Sequence, residues 1–182
     1  MSSIAKKILA ITIIAIGAIL FIVFLKNIKG ALNNGWVQHE IGSLTFGASD
    51  ELTLLESQGL AGLEHVELFS DNNEDHVTYC LIGKIQGDSA SIVNAYTQAL
   101  EALLSRHHVD PANVKMDDIT VDANEMSTIF SYDIKKKQAL GYGFLKQQGN
   151  KIESLWLIPV TKRFPEDYII KFKEGINVQP VQ

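Results

Sequence analysis

The strongest pattern in the chain is a run of eighteen uncharged residues from Ile8 to Leu25, in which Thr12 is the one polar side chain. As a helix rising about 1.5 Å per residue, the run spans roughly 27 Å, close to the hydrocarbon thickness of about 30 Å in a bilayer. The pattern predicts a transmembrane helix with Gly17 near its middle. A cleaved signal peptide is the alternative, but its apolar segment is typically about 7–15 residues long and ends at a small-x-small site, which the residues after Leu25 lack.

Basic residues flank this run on both sides. The terminal amine, Lys6 and Lys7 precede it, and Lys26 and Lys29 follow it. Because the more basic side usually stays in the cytoplasm, this margin of one charge predicts a single-pass signal-anchor in the bacterial inner membrane with a periplasmic C-terminal domain. The expected organisation is a membrane anchor over residues 1–29, a linker over 30–38 and a soluble domain over 39–182.

Beyond the anchor, the first elements are short. A weak strand pattern over 37–46 is followed by Ser49-Asp-Glu, a helix-capping sequence that predicts a short helix over 50–58, before Gly59. Two β-rich runs, 63–69 and 76–85, predict a hairpin.

The clearest helical pattern begins at Asp88 or Ser89 and extends to about His107. Its apolar residues recur at spacings of three and four, which predicts one face packed on a sheet. These residues are Ile92, Tyr96, Ala99, Leu100, Leu103 and Leu104. A second helix is predicted over 165–174, with Tyr168, Ile169 and Phe172 on one side.

Three alternating runs, 126–134, 139–147 and 152–160, predict an antiparallel meander. A two-residue turn at Gly149-Asn150 joins the last two runs, and a four-residue loop over 135–138 joins the first two.

These turns place Phe130, Gly143 and Trp156 in one row across the three strands. Because the aromatic rings can close over the glycine, we interpret this row as the core face approached by the long helix; a furrow for a lipid or other small apolar ligand is the alternative. The opposite face carries apolar side chains that either the closing helix or a protein partner must cover. They include Tyr142, Phe144, Leu155 and Leu157.

Together these elements predict an α+β fold: a single N-terminal transmembrane helix, then one domain with a mainly antiparallel sheet and a long helix packed on one face. All 21 acidic residues follow Gly30, so residues 30–182 carry 21 acids against 12 bases, a formal charge of −9. Such a domain repels the phosphates of nucleic acid and of anionic lipid, so nucleic acid is not an expected partner.

Groups with candidate chemistry are few. Cys80 is the only cysteine, and a six-residue turn would place it across from His65, yet a thiol in mid-strand is more often buried and inert. His107 and His108 are adjacent and point in different directions. Acidic residues cluster over 71–76 and over 117–125, but neither cluster has the order of a calcium-binding loop. We predict no catalytic residue, metal site or cofactor, and interpret Lys135-Lys-Lys as a solvated basic turn.

These observations favour a membrane-tethered, non-enzymatic accessory or assembly subunit that contacts a protein partner through its sheet face or edge. Its expected partners are the lipid bilayer and a membrane-associated protein complex. One alternative is a domain that binds a lipid or other apolar ligand, which requires a cavity beside Phe130 and Trp156. The other is an enzyme that depends on Cys80, which requires a reactive native thiol.

Overall fold

The computed structural model describes residues 36–48, 50–55, 63–85 and 91–178, and those from Val37 onward belong to one compact unit. The described elements, in chain order, are β1 (Val37–Ile41), β2 (Leu44–Ala48), β3 (Thr53–Leu55), β4 (Leu63–Ser70), β5 (His76–Ile85), α1 (Ile92–Arg106), the 3-10 turn η1 (Pro111–Asn113), β6 (Lys115–Asp122), β7 (Glu125–Ile134), β8 (Lys137–Gln148), β9 (Lys151–Pro159), α2 (Glu166–Glu174) and β10 (Asn177–Val178).

Seven strands form one sheet in the order β3-β4-β5-β9-β8-β7-β6, and every neighbouring pair in it is antiparallel. The three strands β7, β8 and β9 are adjacent, as the predicted meander requires. A smaller sheet has the order β1-β2-β10. The chain therefore returns twice to pair strands that are far apart in sequence, β5 with β9 and β10 with β2.

The turn geometry decides the registers of the meander. The β8–β9 turn has two residues, with Gly149 at a φ of 59°, and Gly143 lies opposite Trp156 as predicted. The β7–β8 turn also has two residues, Lys135 and Lys136, whose φ angles are 51° and 64°. Both angles are those of a type I′ turn, which matches the twist of the flanking strands.

The four-residue loop predicted between β7 and β8 is therefore wrong, and so is the register it implied. Phe130 lies opposite Gly141, and Thr128 lies opposite Gly143. A shift of two residues preserves the face of every side chain, so Phe130 still points into the core.

Helix α1 packs on one face of the large sheet. Ser91 caps it, because its side-chain oxygen accepts a hydrogen bond from the N–H of Asn94 at 3.3 Å. Its buried residues are Ala95, Tyr96, Ala99, Leu100, Leu103 and Leu104. Burial contributes about 2 kcal/mol for each leucine, so this predicted stripe anchors the helix.

The other face of the large sheet is covered by the small sheet and by α2. The ring of Phe172 on α2 lies with its centroid 6.2 Å from that of Tyr142 on β8 and 6.0 Å from that of Phe46 on β2. Phe172 is fully buried. The closing helix therefore contacts the apolar patch, as one of the two interpretations required.

The helix predicted over 50–58 is wrong where it can be compared, since Thr53–Leu55 is strand β3, paired with β4. The capping sequence before it is outweighed by hydrogen bonding to a sheet edge; residues 56–58 lie outside the described ranges.

The predicted fold class and localisation also need correction. Ten strands and two short α-helices make the described chain a mainly antiparallel β fold rather than an α+β fold with a membrane helix. In the part of the chain that the structure describes, neither helix is long and apolar enough to cross a bilayer. The anchor predicted over 1–29, with Ile8, Gly17 and Leu25, lies outside that part. Because no described helix can cross a bilayer, we withdraw the single-pass transmembrane helix and the inner-membrane localisation.

Candidate functional site

The apolar patch predicted to meet a partner lies inside the protein. Tyr142, Phe144, Leu155 and Leu157 are all buried, and Phe144, the most accessible of them, is 8% exposed. Burial leaves these side chains little free surface in this arrangement, and Phe172 of α2 packs against Tyr142. Their assignment to a binding site stays a prediction, and it would require α2 to move away.

The predicted furrow is filled. Tyr96 of α1 lies over Gly143, and its ring centroid is 4.7 Å from that of Trp156. A Cβ added to Gly143 would overlap the Tyr96 hydroxyl and lie 2.5 Å from Cζ3 of Trp156. Phe130 covers Gly141 in the same way. The glycines thus admit a close helix and ring rather than a ligand.

Cys80 does not meet His65. Because Ser70 pairs with Tyr79, Phe69 lies opposite Cys80, and the thiol is fully buried. Burial raises the pKa of Cys80 far above its ordinary value, with a further contribution from the charge of Glu153. The thiolate that nucleophilic chemistry needs is therefore disfavoured.

We expect Cys80 of the native full-length chain to react with Ellman's reagent at least about a hundredfold more slowly than in denaturant, because only opening of the sheet exposes it. Since Cys80 is the only cysteine, the released thiolate anion reports on it alone, and Cys80→Ala gives the blank. Modification of the native protein within seconds would contradict this expectation and reopen the cysteine-dependent enzyme.

Two carboxylates in the turn between β4 and β5, those of Asp71 and Asp75, bind neighbouring groups of the protein. Asp71 accepts hydrogen bonds from the backbone N–H of Asn73 at 3.2 Å and of Thr78 at 3.1 Å. Asp75 pairs with Lys162 and accepts a hydrogen bond from the Thr161 hydroxyl, and these contacts lower its pKa. Among the described residues, no group of three or more potential metal ligands is gathered at one place.

Strand β6 is an edge of the large sheet, and all eight of its residues are exposed. Met116 lies opposite Phe130, and Val121 lies opposite Met126. Both opposing side chains belong to the core between the sheet and α1. Because paired residues share a face, Met116 and Val121 project on the α1 side of the sheet.

A β-bulge interrupts β6 in its middle, where Asp118 and Ile119 together face Thr128. Asp118 is the extra residue: its φ is 48°, and its carboxylate lies 3.6 Å from Nζ of Lys173 on α2. Ile119 consequently projects from the opposite face, the one that carries α1.

We call Met116, Ile119 and Val121 the edge row. Their exposed fractions are 37%, 54% and 53%, so three large apolar side chains stand in solvent along one edge. The sequence pattern alone did not reveal this row. Spacings of three and then two fit neither a helix nor an uninterrupted strand, and a bulge at Asp118 is what makes them one row.

No family model matches the chain, and no curated protein matches it. Among solved structures, seven chains match. One is the solution structure of cyanobacterial PsbP (CyanoP) from Synechocystis sp. PCC 6803, at 8% sequence identity and a TM-score of 0.50, with 80% of this chain and 93% of that chain covered. At this identity the similarity is one of fold.

Proposed function

We propose that this protein is a non-enzymatic accessory domain that binds a protein partner along strand β6. The carrying observation is the edge row, in which Met116, Ile119 and Val121 project together from an edge strand without a single buried residue. Contiguous exposed apolar side chains of this kind are typical of interaction surfaces. The fold similarity to cyanobacterial PsbP is compatible with such a role.

The edge itself favours contact through side chains. Its bulge and the acidic residues Asp117, Asp118 and Asp122 discourage strands of other molecules from adding to it indiscriminately. A partner that covers the edge row buries apolar area on the α1 side, and the acids on the strand favour a basic rim around that contact.

Replacing Ile119 by aspartate is expected to reduce recovery of the partner by at least about tenfold, because it places a charge at the centre of the apolar contact. The measurement is quantitative mass spectrometry after affinity purification of the tagged full-length chain from its source cells. Ile119→Asp should leave the melting temperature within a few degrees, since its side chain is 54% exposed.

Ile170→Asp is the matched control, because Ile170 is 58% exposed on α2 and lies outside the edge row. Recovery that falls equally in both variants, or in neither, would argue against the proposed function. Loss of a homodimer in the Ile119 variant alone would assign the row to a second copy of the chain instead.

A further inference from the structure

A cleft of about 800 Å³ lies at the end of the same sheet edge, beyond the edge row. One wall is the connection from His108 through η1, and the other is the last part of β7, from Ser131 to Ile134. Most of its lining side chains are polar or charged, and Lys115 stands between the two walls. The volume is that of an ordinary ligand site, but the polar lining differs from the apolar pockets that bind drug-like molecules.

The wall formed by β7 is a bare strand edge. Pairing with β6 ends where Lys115 lies opposite Ser131, whereas β7 continues to Ile134 and pairs there with β8. Ile134 and Lys137 close a two-residue turn and so form a hydrogen-bonded pair, which makes the next pair, Asp133 with Gln138, a non-bonded one. The N–H and C=O of Asp133 consequently point away from β8, toward the cleft.

The charge at this end of the sheet is opposite to that of the domain as a whole. Lys115 lines the cleft, and three successive lysines follow Ile134: Lys135 and Lys136 form the turn, and Lys137 begins β8. Two carboxylates also line the cleft, those of Asp110 and Asp133.

The carboxylate of Asp110 is already engaged. It accepts hydrogen bonds from the N–H of Ala112 at 3.0 Å and from Nδ2 of Asn113 at 3.4 Å. Its charge remains, so four lysines against the two carboxylates leave a formal charge of +2 at this end of the sheet, which favours an acidic ligand.

The two turn lysines stand in a conformation that side chains avoid. Lys135 and Lys136 both have positive φ, and type I′ turns prefer Asn-Gly at these two positions. Strained residues of this kind are found where function holds them. Here the chain keeps two positively charged residues beside the cleft, at positions where asparagine and glycine are favoured.

We propose that the cleft binds an extended acidic segment of a partner protein, which adds as a short strand to β7 at Asp133 and places its carboxylates beside Lys115, Lys135 and Lys136. Strand addition supplies main-chain hydrogen bonds, and the lysines select the charge of the segment. This proposal rests on the proposed function, since it names the chemistry of part of the partner.

The test uses the purified full-length chain and a fluorescein-labelled decapeptide of alternating glutamate and threonine, with binding measured by fluorescence anisotropy. The double variant Lys135→Asn, Lys136→Gly should weaken binding at least about tenfold while leaving the melting temperature equal or higher, because it removes two charges and installs the favoured turn. The matched control, Lys84→Asn with Lys171→Asn, removes two lysines from other parts of the domain and should change the affinity less than about threefold.

A second peptide separates strand addition from charge alone. The same decapeptide, N-methylated at every residue, keeps its charge but cannot donate a main-chain hydrogen bond from either edge, and it should bind at least about tenfold more weakly. Equal binding of the methylated peptide, equal binding of a lysine–threonine decapeptide, or an undiminished affinity in the double variant would each overturn the proposal.

The Ile119→Asp variant distinguishes this proposal from the proposed function. It should bind the acidic decapeptide within about threefold of the wild-type affinity, since Ile119 lies outside the cleft lining. No peptide binding together with loss of the cellular partner in Ile119→Asp would refute the cleft proposal and leave the proposed function standing. Peptide binding together with unchanged recovery of the cellular partner in Ile119→Asp would refute the proposed function and leave the cleft proposal standing.

Discussion

Replacing Gly143 by alanine is expected to lower the free energy of unfolding by about 3 kcal/mol, because the added methyl group overfills a packed core. The added Cβ would overlap the hydroxyl of Tyr96 and lie 2.5 and 2.7 Å from two carbons of the Trp156 ring. Trp156 is fully buried and cannot rotate away without opening the core between α1 and the sheet. Urea denaturation of the full-length chain, followed by circular dichroism, measures the loss.

Gly149→Ala is the control within the same hairpin. Gly149 has a φ of 59°, but nothing lies within 4 Å of a Cβ built there, so its cost is the backbone strain alone, about 1 kcal/mol. Equal destabilisation by the two alanines would show that the crowding around Gly143 is unimportant.

Tyr96→Phe tests the contact itself. The hydroxyl of Tyr96 is buried and has no hydrogen-bond partner among the described residues, so its removal should be neutral or slightly stabilising. In the Gly143→Ala background it also removes the atom nearest to the new Cβ, and we expect the double variant to recover about 1 kcal/mol relative to additivity. If the two free-energy changes are strictly additive, the strain in Gly143→Ala does not come from the Tyr96 hydroxyl.

The region around Gly143 shows which parts of the fold can be predicted from the sequence. The helical stripe from Tyr96 to Leu104 and the alternation of β8 and β9 are local periodic signals, and the structure uses both as predicted. The register of β7 is not local, because it depends on how many residues the turn contains. Two lysines with positive φ contradict propensity, and nothing else in the sequence indicated a two-residue turn there.

The candidate surface was less predictable than the core. The edge row depends on a bulge at Asp118, and the cleft depends on where β6 stops relative to β7. Both are consequences of pairing between strands rather than of composition. The sequence correctly indicated that the apolar patch at Tyr142 must be covered. Phe172 on α2 packs against it, which is one of the two covers predicted.

Glu153→Gln is expected to lower the free energy of unfolding by about 2 kcal/mol at neutral pH. Glu153 is 5% exposed, and its carboxylate accepts hydrogen bonds from the N–H of Ser43 at 3.0 Å, from the Ser43 hydroxyl, and from Nζ of Lys151 at 2.7 Å. Nζ of Lys146 donates in turn to the Ser43 hydroxyl at 3.3 Å. The carboxylate thereby holds the β1–β2 turn of the small sheet against β8 and β9 of the large one.

Two comparisons make the stability measurement specific. Asp167→Asn removes the exposed pair of Asp167 with Lys171 on α2, and it should change the free energy of unfolding very little, because solvent screens an exposed ion pair. Ser43→Ala removes a donor from the same cluster and should cost about 1 kcal/mol. A Glu153→Gln effect no larger than that of Asp167→Asn would show that the buried cluster adds no stability.

The pH dependence of the Glu153→Gln effect has a definite sign. Burial raises the pKa of Glu153, but the hydrogen bonds from Lys151 and Ser43 outweigh it, and the pKa lies below its ordinary value of 4.5. The folded state therefore binds the proton less readily than the unfolded chain, and the stabilisation is complete above that ordinary value. As the pH falls through the lowered pKa, Glu153 becomes protonated in the folded protein and the difference between wild type and variant should shrink. Denaturation curves at a series of pH values from neutral to acidic measure this difference, and a gap that widens toward acid would mean that burial, rather than hydrogen bonding from Ser43 and Lys151, governs the carboxylate.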